Sequence, residues 1–306
     1  MGQTSPVHDP DVVWRRLAAG GSLDGLGLGQ VNGRWNLRSI GNPRSPWSRK
    51  DDLPEFRGTT FAGLDLSGAE LHNFRFFDCE FVDCVFDGAD LVDWRQWSTS
   101  LRQCSFRQTG LTGTMDGARR PPSRWQEVDF TRADLRDTAH STESYTDCDF
   151  SHARLKGVSF DGSRHVRSTF AGRVEDVEFW SHPQGSQSTF LGRLRHREPN
   201  PMDGVDFSAA TVRYCGFNRL DLSTCVLPSS PDHLRFDDRG AFAARVLEAL
   251  RNSREDLVSL QVMMEFQLRD ALPGGGGPGF KHRLDLGDNP QEIEAAVALM
   301  RGCGAR

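Results

Sequence analysis

A large apolar side chain recurs at every fifth position from Phe61 onward. The series reads Phe61, Leu66, Leu71, Phe76, Phe81, Phe86, Leu91, Gln96, Leu101, Phe106 and Leu111, and only Gln96 departs from Leu or Phe. A second series, shifted in phase, reads Phe130, Leu135, His140, Tyr145, Phe150, Leu155, Phe160, His165 and Phe170. A third reads Phe207, Val212, Phe217, Leu222 and Leu227. A period of five suits neither an α-helix, at about 3.6, nor a flat strand, at about 2. It suits a chain that turns a corner every five residues and points one large side chain inward per face. Four faces make a square coil of about 20 residues, stacked on the next at the β spacing of about 4.8 Å. Residues one coil apart then form ladders, such as Phe61–Phe81–Leu101, Leu66–Phe86–Phe106, Leu71–Leu91–Leu111 and Phe130–Phe150–Phe170. Each coil buries its core against its neighbours only, as solenoids do.

The residue two before each large one also points inward and is expected to be small. Ala69, Cys79, Cys84, Ala89, Thr99, Cys104, Thr109, Ala133, Thr138, Cys148, Ala153, Ser168, Ala210, Cys215 and Cys225 fill this slot. Every cysteine but Cys303 is among them, so the cysteines read as small core hydrophobes. They belong to the five-residue period, which argues against zinc ligation. Cys84 and Cys104 lie one coil apart and are expected to stack as thiols.

The segments Ala69-Glu70-Leu71, Cys84-Val85-Phe86-Asp87-Gly88-Ala89-Asp90-Leu91 and Ala133-Asp134-Leu135 resemble the A-(D/N)-L-x-x motif of the pentapeptide-repeat family. The resemblance spans about residues 57–228 and implies a mainly β fold, a right-handed quadrilateral β-helix. Three segments break the period: residues 112–127, 180–189 and 192–204, rich in Pro, Gly and Arg. They read as loops thrown out from the coils, either functional or tolerated as surface insertions. Arg119, Arg120, Arg124, Arg193, Arg195 and Arg197 are their candidate contact residues.

The flanks suggest end caps. Asp9 followed by Pro10 predicts a helix to about Ala19, closed by Gly20 and Gly21. Residues 22–56 read as irregular, giving an N-terminal cap over 1–56. Residues 229–306 read as an α-helical C-terminal extension. Over 239–272 Phe242, Val246, Leu250, Leu257, Leu260 and Met264 fall near one face, and Ser253 with Asp256 marks a second helix start. That stripe either caps the last coil or pairs across a homodimer axis. Gly274 to Gly279 reads as a flexible linker, and Asn289-Pro290 with Glu292 caps a last helix to about Arg301.

Chemistry is sparse. The Gly-rich run lacks the Lys-Ser/Thr of a phosphate loop and follows a helix rather than a strand. His140 and His165 occupy inward positions, read either as a paired site or as substituted core positions. No catalytic, cofactor-binding or metal-ligating set emerges, so the chain reads as a non-enzyme without a cofactor. No stretch reaches the roughly 20 apolar residues of a membrane span. Met1 to Pro10 lacks the charged and apolar regions of a signal peptide, so a cytoplasmic location is expected.

The net charge of −5 is mild and argues against a directly nucleic-acid-binding protein. Charge is concentrated between residues 57 and 93, where Asp65, Glu70, Asp78, Glu80, Asp83, Asp87, Asp90 and Asp93 face only Arg57 and Arg75. None of these acids holds an inward position, so all are expected at the surface. They either attract a basic partner or simply form a solvated face. The leading reading is a protein-interaction scaffold with an unknown partner. The family resemblance implies an alternative, because its gyrase-protecting members are acidic, DNA-like proteins that compete with DNA at a type II topoisomerase. Against that alternative, the later coils are close to charge-balanced and Arg193, Arg195 and Arg197 are basic.

Overall fold

The computed structural model describes residues 9–43, 54–116, 121–141, 143–183, 201–253, 257–271 and 276–306. They form two compact units, Met1–Arg154 and Leu155–Arg306. The fold is a mainly β solenoid with a short N-terminal helix and C-terminal helices.

In the first unit the period of five becomes a set of parallel ladders. On one face Phe56 pairs with Phe76 and Phe76 with Gln96, and the ladder runs on through Asp116 to His140. On the next, Phe61, Phe81, Leu101, Trp125 and Tyr145 pair in turn. Single bridges from Asp65 to Asp149 and from Glu70 to Arg154 mark the other two faces. Rings one coil apart stack, with centroids 4.6 Å apart for Phe61–Phe81, 4.6 Å for Phe86–Phe106 and 4.8 Å for Phe130–Phe150.

The corners carry the coil. Gly58, Gly63, Gly68, Asn73, Asp78, Asp83, Gly88 and Asp93 all have φ between 54° and 65°. Only Gly, and at lower cost than others Asn and Asp, enters this left-handed region readily. Each corner N–H still finds a carbonyl on the next coil, as Asp83 N–H does on Arg102 at 3.0 Å.

Three expectations need correction. The interruption at 112–127 is shorter than the period suggests, because strands Met115–Asp116 and Arg124–Gln126 lie inside it. Trp125 pairs with Leu101 at a separation of 24 residues, against 20 for Leu101 and Phe81. Those four extra residues shift the phase of the second series without breaking the ladder. Next, the small slot is not small on every face: Phe74 and Trp94 occupy it fully buried. Trp94 Nε1 donates to Gln96 Oε1 at 3.3 Å, so the one polar residue of the first series is held inside. Lastly, residues 22–56 are not wholly irregular. Arg34–Asn36 adds a parallel strand with Trp35 opposite Leu64, and Glu55–Arg57 already belongs to the coil.

The N-terminal helix α1, Pro10–Ala18, is capped by Asp9, whose carboxylate accepts from Asp11 N–H at 3.0 Å. It buries Val13, Trp14 and Leu17. Trp14 meets Phe74 and Phe56 edge-on at 5.2 and 5.9 Å, closing the open end of the first coil.

In the second unit Phe160, Phe179 and Phe217 form the corresponding ladder, and Val174 pairs with Val212. The chain then departs from the coil. Strands His233–Phe236 and Gly279–His282 pair antiparallel, which the period did not signal. Helices α2, Arg239–Arg251, α3, Val258–Asp270, and α4, Pro290–Gly302, pack around this hairpin. Phe242, Val246, Leu260 and Met264 form one core with Phe236 and Met300. The stripe expected to need the last coil or a second copy is therefore covered by the chain's own hairpin and α4. Asp238 and Asn289 cap α2 and α4 by accepting from Ala241 and Glu292 N–H. No side chain caps α3, whose N-cap position is Leu257, and Asp256 lies outside the described residues. The Gly-rich linker is tied at its end, where Gly277 O accepts from Arg239 N–H at 2.9 Å.

The cysteines are free thiols, with Cys79, Cys84, Cys104 and Cys148 buried. Burial pushes the Cys148 thiol up to about 12. Burial closes all four to solvent, so Ellman's reagent should reach them only after denaturation. Phe86→Ala should remove about 3–5 kcal/mol of stability, measured by urea unfolding, because the stacked ring of Phe106 and the edge-on rings of Phe81 and Trp94 all lose contact.

Candidate functional site

The eight acids of residues 57–93 are placed by the backbone before any partner is considered. Asp78, Asp83 and Asp93 stand at left-handed corners. Asp65 and Asp90 accept from the N–H two residues on, at 3.1 and 3.3 Å, closing tight side-chain turns. Asp87 accepts from Ser105 Oγ at 2.5 Å and Arg107 N–H at 3.0 Å. Asp65 does not face solvent as expected: it is 4% exposed and ion-paired with Arg38 at 2.7 Å. Burial raises its pKa, but the bonds from Ser67 and Arg38 outweigh that and hold it below the ordinary carboxylate value.

Arginines answer several of the others. Arg34 reaches Asp83 at 2.5 Å, and Arg75 and Arg95 reach Asp93 at 3.1 and 2.8 Å. Burial works against Asp93 ionisation, yet these two guanidiniums hold its carboxyl low. Glu70 and Asp78 are exposed, and Glu80 is half-buried. The face is acidic in sequence but partly neutralised in space, and Arg34 and Arg38 come from the N-terminal segment outside the counted stretch.

Of the candidate arginines, Arg124 is exposed on its strand. Arg119, Arg120, Arg193, Arg195 and Arg197 lie outside the described residues.

The two inward histidines lie one in each unit. His140 is buried with Thr138, Glu143 and Tyr145. Thr138 donates to Leu135 O at 2.7 Å and so accepts from His140 Nε2 at 3.0 Å. His140 Nδ1 lies 2.9 Å from Tyr145 Oη and 3.2 Å from Glu143 Oε2, and Tyr145 also donates to Glu143. This network resembles a catalytic relay in composition, but all four side chains are enclosed in the coil. His165 packs among the rings of Phe160, Phe170 and Phe179. Among the described residues no group of three or more His, Cys, Asp or Glu could hold a metal, and no helix is long and apolar enough to cross a membrane.

The more distinctive surface is in the second unit, on the face of α3 that the inward stripe leaves outside. Val258, Val262 and Phe266 recur every four residues along α3 and are 57%, 58% and 52% exposed. They lie on the side opposite to the buried Leu260 and Met264. Beside them a groove of about 640 Å³ runs between α3 and the end of the coil. Trp180, Phe217, Met263, Phe266 and Phe280 wall it, and Lys281 lines it. Glu178, at the coil end, accepts from Asn218 Nδ2 at 2.6 Å, and burial raises its pKa. Asp270 is answered by Arg219 through its backbone N–H at 2.9 Å and its guanidinium at 3.5 Å. Arg239 is buried and gives its guanidinium to the carbonyls of Gly276, Phe217 and Leu220, pinning α2 to the coil end.

Residues 55–93 match the family model described as Pentapeptide repeats, in eight copies. No curated protein sequence matches the chain significantly. Among solved structures the chain is similar to HetL, a pentapeptide repeat protein involved in heterocyst differentiation regulation from the cyanobacterium Nostoc sp. strain PCC 7120. That likeness has 16% identity over 71% of this chain and 89% of that one, with a TM-score of 0.32. It is also similar to a trypsin-treated form of QnrB1, a plasmid-mediated fluoroquinolone resistance protein, at 16% identity, 64% and 83% coverage and a TM-score of 0.32.

Two outcomes check these placements. Asp78→Gly should be neutral or slightly stabilising in urea unfolding, whereas Asp78→Val should cost about 1–2 kcal/mol, because a β-branched residue resists the left-handed corner. His233, buried in the C-terminal hairpin, accepts from Val212 N–H at 3.1 Å. Burial first, and then the neighbouring His282, push its pKa from 6.5 down to about 4. The unfolded chain binds the proton first, so stability should fall as pH drops from 6.5 towards about 4 and level off below. Urea midpoints across that range, with His233→Gln flattening the slope, measure it.

Proposed function

Because this chain is a pentapeptide-repeat protein whose coils enclose their own polar groups, we propose that it works as a non-enzymatic protein-interaction scaffold. Its partner docks on the C-terminal unit, over the exposed face of α3. The observation that carries this reading is the stripe Val258, Val262 and Phe266, three large apolar residues in line that the chain's own core leaves uncovered. Contiguous exposed apolar surface of this kind marks interaction sites, while scattered exposed residues do not. Amphipathic faces read at spacings of four are a recurrent way in which helices engage partners.

The alternative, binding a type II topoisomerase as a DNA mimic, needs acid free to meet basic protein along the coils. Asp65, Asp83 and Asp93 are answered by arginines, and most of the acids have structural employment at corners and turns. That favours the α3 surface over the acidic face.

The double variant Val258→Asp/Val262→Asp should leave stability within about 0.5 kcal/mol, since both side chains are already in solvent. It should also abolish the association that the wild type shows, read by light scattering for self-association and by quantitative pull-down for another protein. Unchanged association in the variant would overturn the reading. Relief of poison-induced gyrase cleavage by the wild-type protein, lost on replacing Glu70, Asp78 and Glu80, would establish the alternative instead.

A further inference from the structure

The last strands of the coil, Ala210–Arg213 and Gly216–Asn218, hand backbone donors to side chains instead of to another coil. One coil earlier, Asp176 N–H donates to Arg213 O and Ser181 N–H to Asn218 O, at 3.1 Å each. The register places Tyr214 and Arg219 at the corresponding positions of the last coil. There Tyr214 N–H donates to Asp285 Oδ2 and Arg219 N–H to Asp270 Oδ2, both at 2.9 Å. A third donor, Val212 N–H, goes to His233 Nε2 at 3.1 Å. Asp270 ends α3, His233 opens the hairpin, and Asp285 lies in the turn that follows it. Three side-chain acceptors thus stand where a further coil would offer carbonyls, which covers the sheet edge without a ladder.

His233 differs from the two aspartates. A carboxylate that takes up a proton still has a carbonyl oxygen to accept with, whereas an imidazole that takes up a proton has no acceptor left. His233 accepts through Nε2, so its ring proton sits on Nδ1, which is buried and has no partner among the described residues. Across the hairpin it pairs with His282, with ring centroids 4.9 Å apart. His282 accepts from Leu284 N–H through Nδ1 at 3.2 Å, so this ring too is held neutral. Asp232 favours a charge on either ring and Asp285 on His282, while Arg235 opposes it on His233 and Arg213 and Arg283 oppose it on His282. Both carboxylates already face arginines, Asp285 with Arg213 at 3.3 Å and Asp232 with Arg283 at 3.7 Å. Burial is the largest influence on both rings, and it decides for the neutral forms.

We propose that this histidine pair is a proton-operated latch: proton uptake by His233 and His282 breaks the bond to Val212 N–H and lifts the strands His233–Phe236 and Gly279–His282 from the end of the coil. Phe280, edge-on to Phe217 at 5.4 Å, leaves with its strand and uncovers that end of the aromatic ladder. The opening is local, below the free energy of global unfolding, so the ladders of the first unit are untouched. The latch goes beyond the docking of a protein on α3 and does not require it, because neither histidine belongs to the stripe Val258, Val262 and Phe266.

The test is hydrogen exchange of the full-length protein, read by mass spectrometry at pH 7 and pH 5 and corrected for the intrinsic pH dependence of amide exchange. The gap between 6.5 and about 4 at His233 favours the open hairpin about 20-fold more at pH 5 than at pH 7. Protection over residues 210–217 and 279–285 should fall by about that factor, while protection over residues 76–101 in the first unit stays constant. His233→Gln keeps an acceptor for Val212 N–H and does not titrate, so it should remove most of the fall. Val258→Asp/Val262→Asp should leave the fall unchanged, so failure of protein docking and failure of the latch are read separately. Unchanged protection over 210–217 in the wild type, an equal fall over 76–101, or an undiminished fall in His233→Gln with a native circular-dichroism melt would each overturn the proposal. The wild-type comparison of the two regions decides even where the variant does not fold.

Discussion

The structure rests on the left-handed corner that recurs every five residues. At Gly63, Asp78, Asp83 and their counterparts the backbone turns with positive φ, and the N–H at the corner is handed to a carbonyl on the next coil. The inward side chains can stack only because these corners hold each face flat and in register. A single ring pair such as Phe86 and Phe106, 4.6 Å apart, is then continued by Phe130, stacked on Phe106 at 5.5 Å. Corner chemistry and core stacking depend on each other. Without the corners the Phe and Leu ladders would not align, and without the ladders the cost of positive φ at non-glycine residues would not be offset.

This constraint changes how charge is read. A run of aspartates suggests an electrostatic surface when counted along the chain. In the coil, Asp is also one of the few residues that tolerates a corner and one of the best at closing a short turn on its own backbone. Asp65 and Asp129 each accept from the N–H two residues on while an arginine holds the other oxygen. The acidity of the first coils is therefore largely a by-product of building them. Function is more economically sought where the repeat stops and residues are no longer dictated by it: on α3, and where the hairpin meets the edge of the last coil.

The first unit was legible in the sequence because a solenoid couples each residue to others at fixed separation. Large residues spaced by five gave the faces, and the slot two before them placed Cys79, Cys84, Cys104 and Cys148 inside as thiols. The limits of that legibility are local. Trp94 Nε1 donates to Gln96 Oε1 across two neighbouring positions, which periodicity does not express. The four-residue insertion before Trp125 looked like a long loop because the phase shifted, although the ladder ran straight through it. Asp65 looked exposed because its partner, Arg38, belongs to a segment without a repeat.

By itself the sequence determined the coil, its large inward residues and the inward placement of Cys79, Cys84, Cys104 and Cys148, because these follow from local geometry repeated at one period, and the helix starts at Asp9 and Asn289, because capping is local. Only the tertiary structure decided what the helical extension does with its apolar residues. Leu260 and Met264 go inward to Phe236 and Met300, while Val258, Val262 and Phe266 stay outside. It also placed Lys281 of a hairpin strand in one groove with Trp180 and Phe217 of the coil, residues far apart in the chain. The physical reason is that these contacts are non-periodic: no spacing along the chain encodes which face of α3 meets the hairpin.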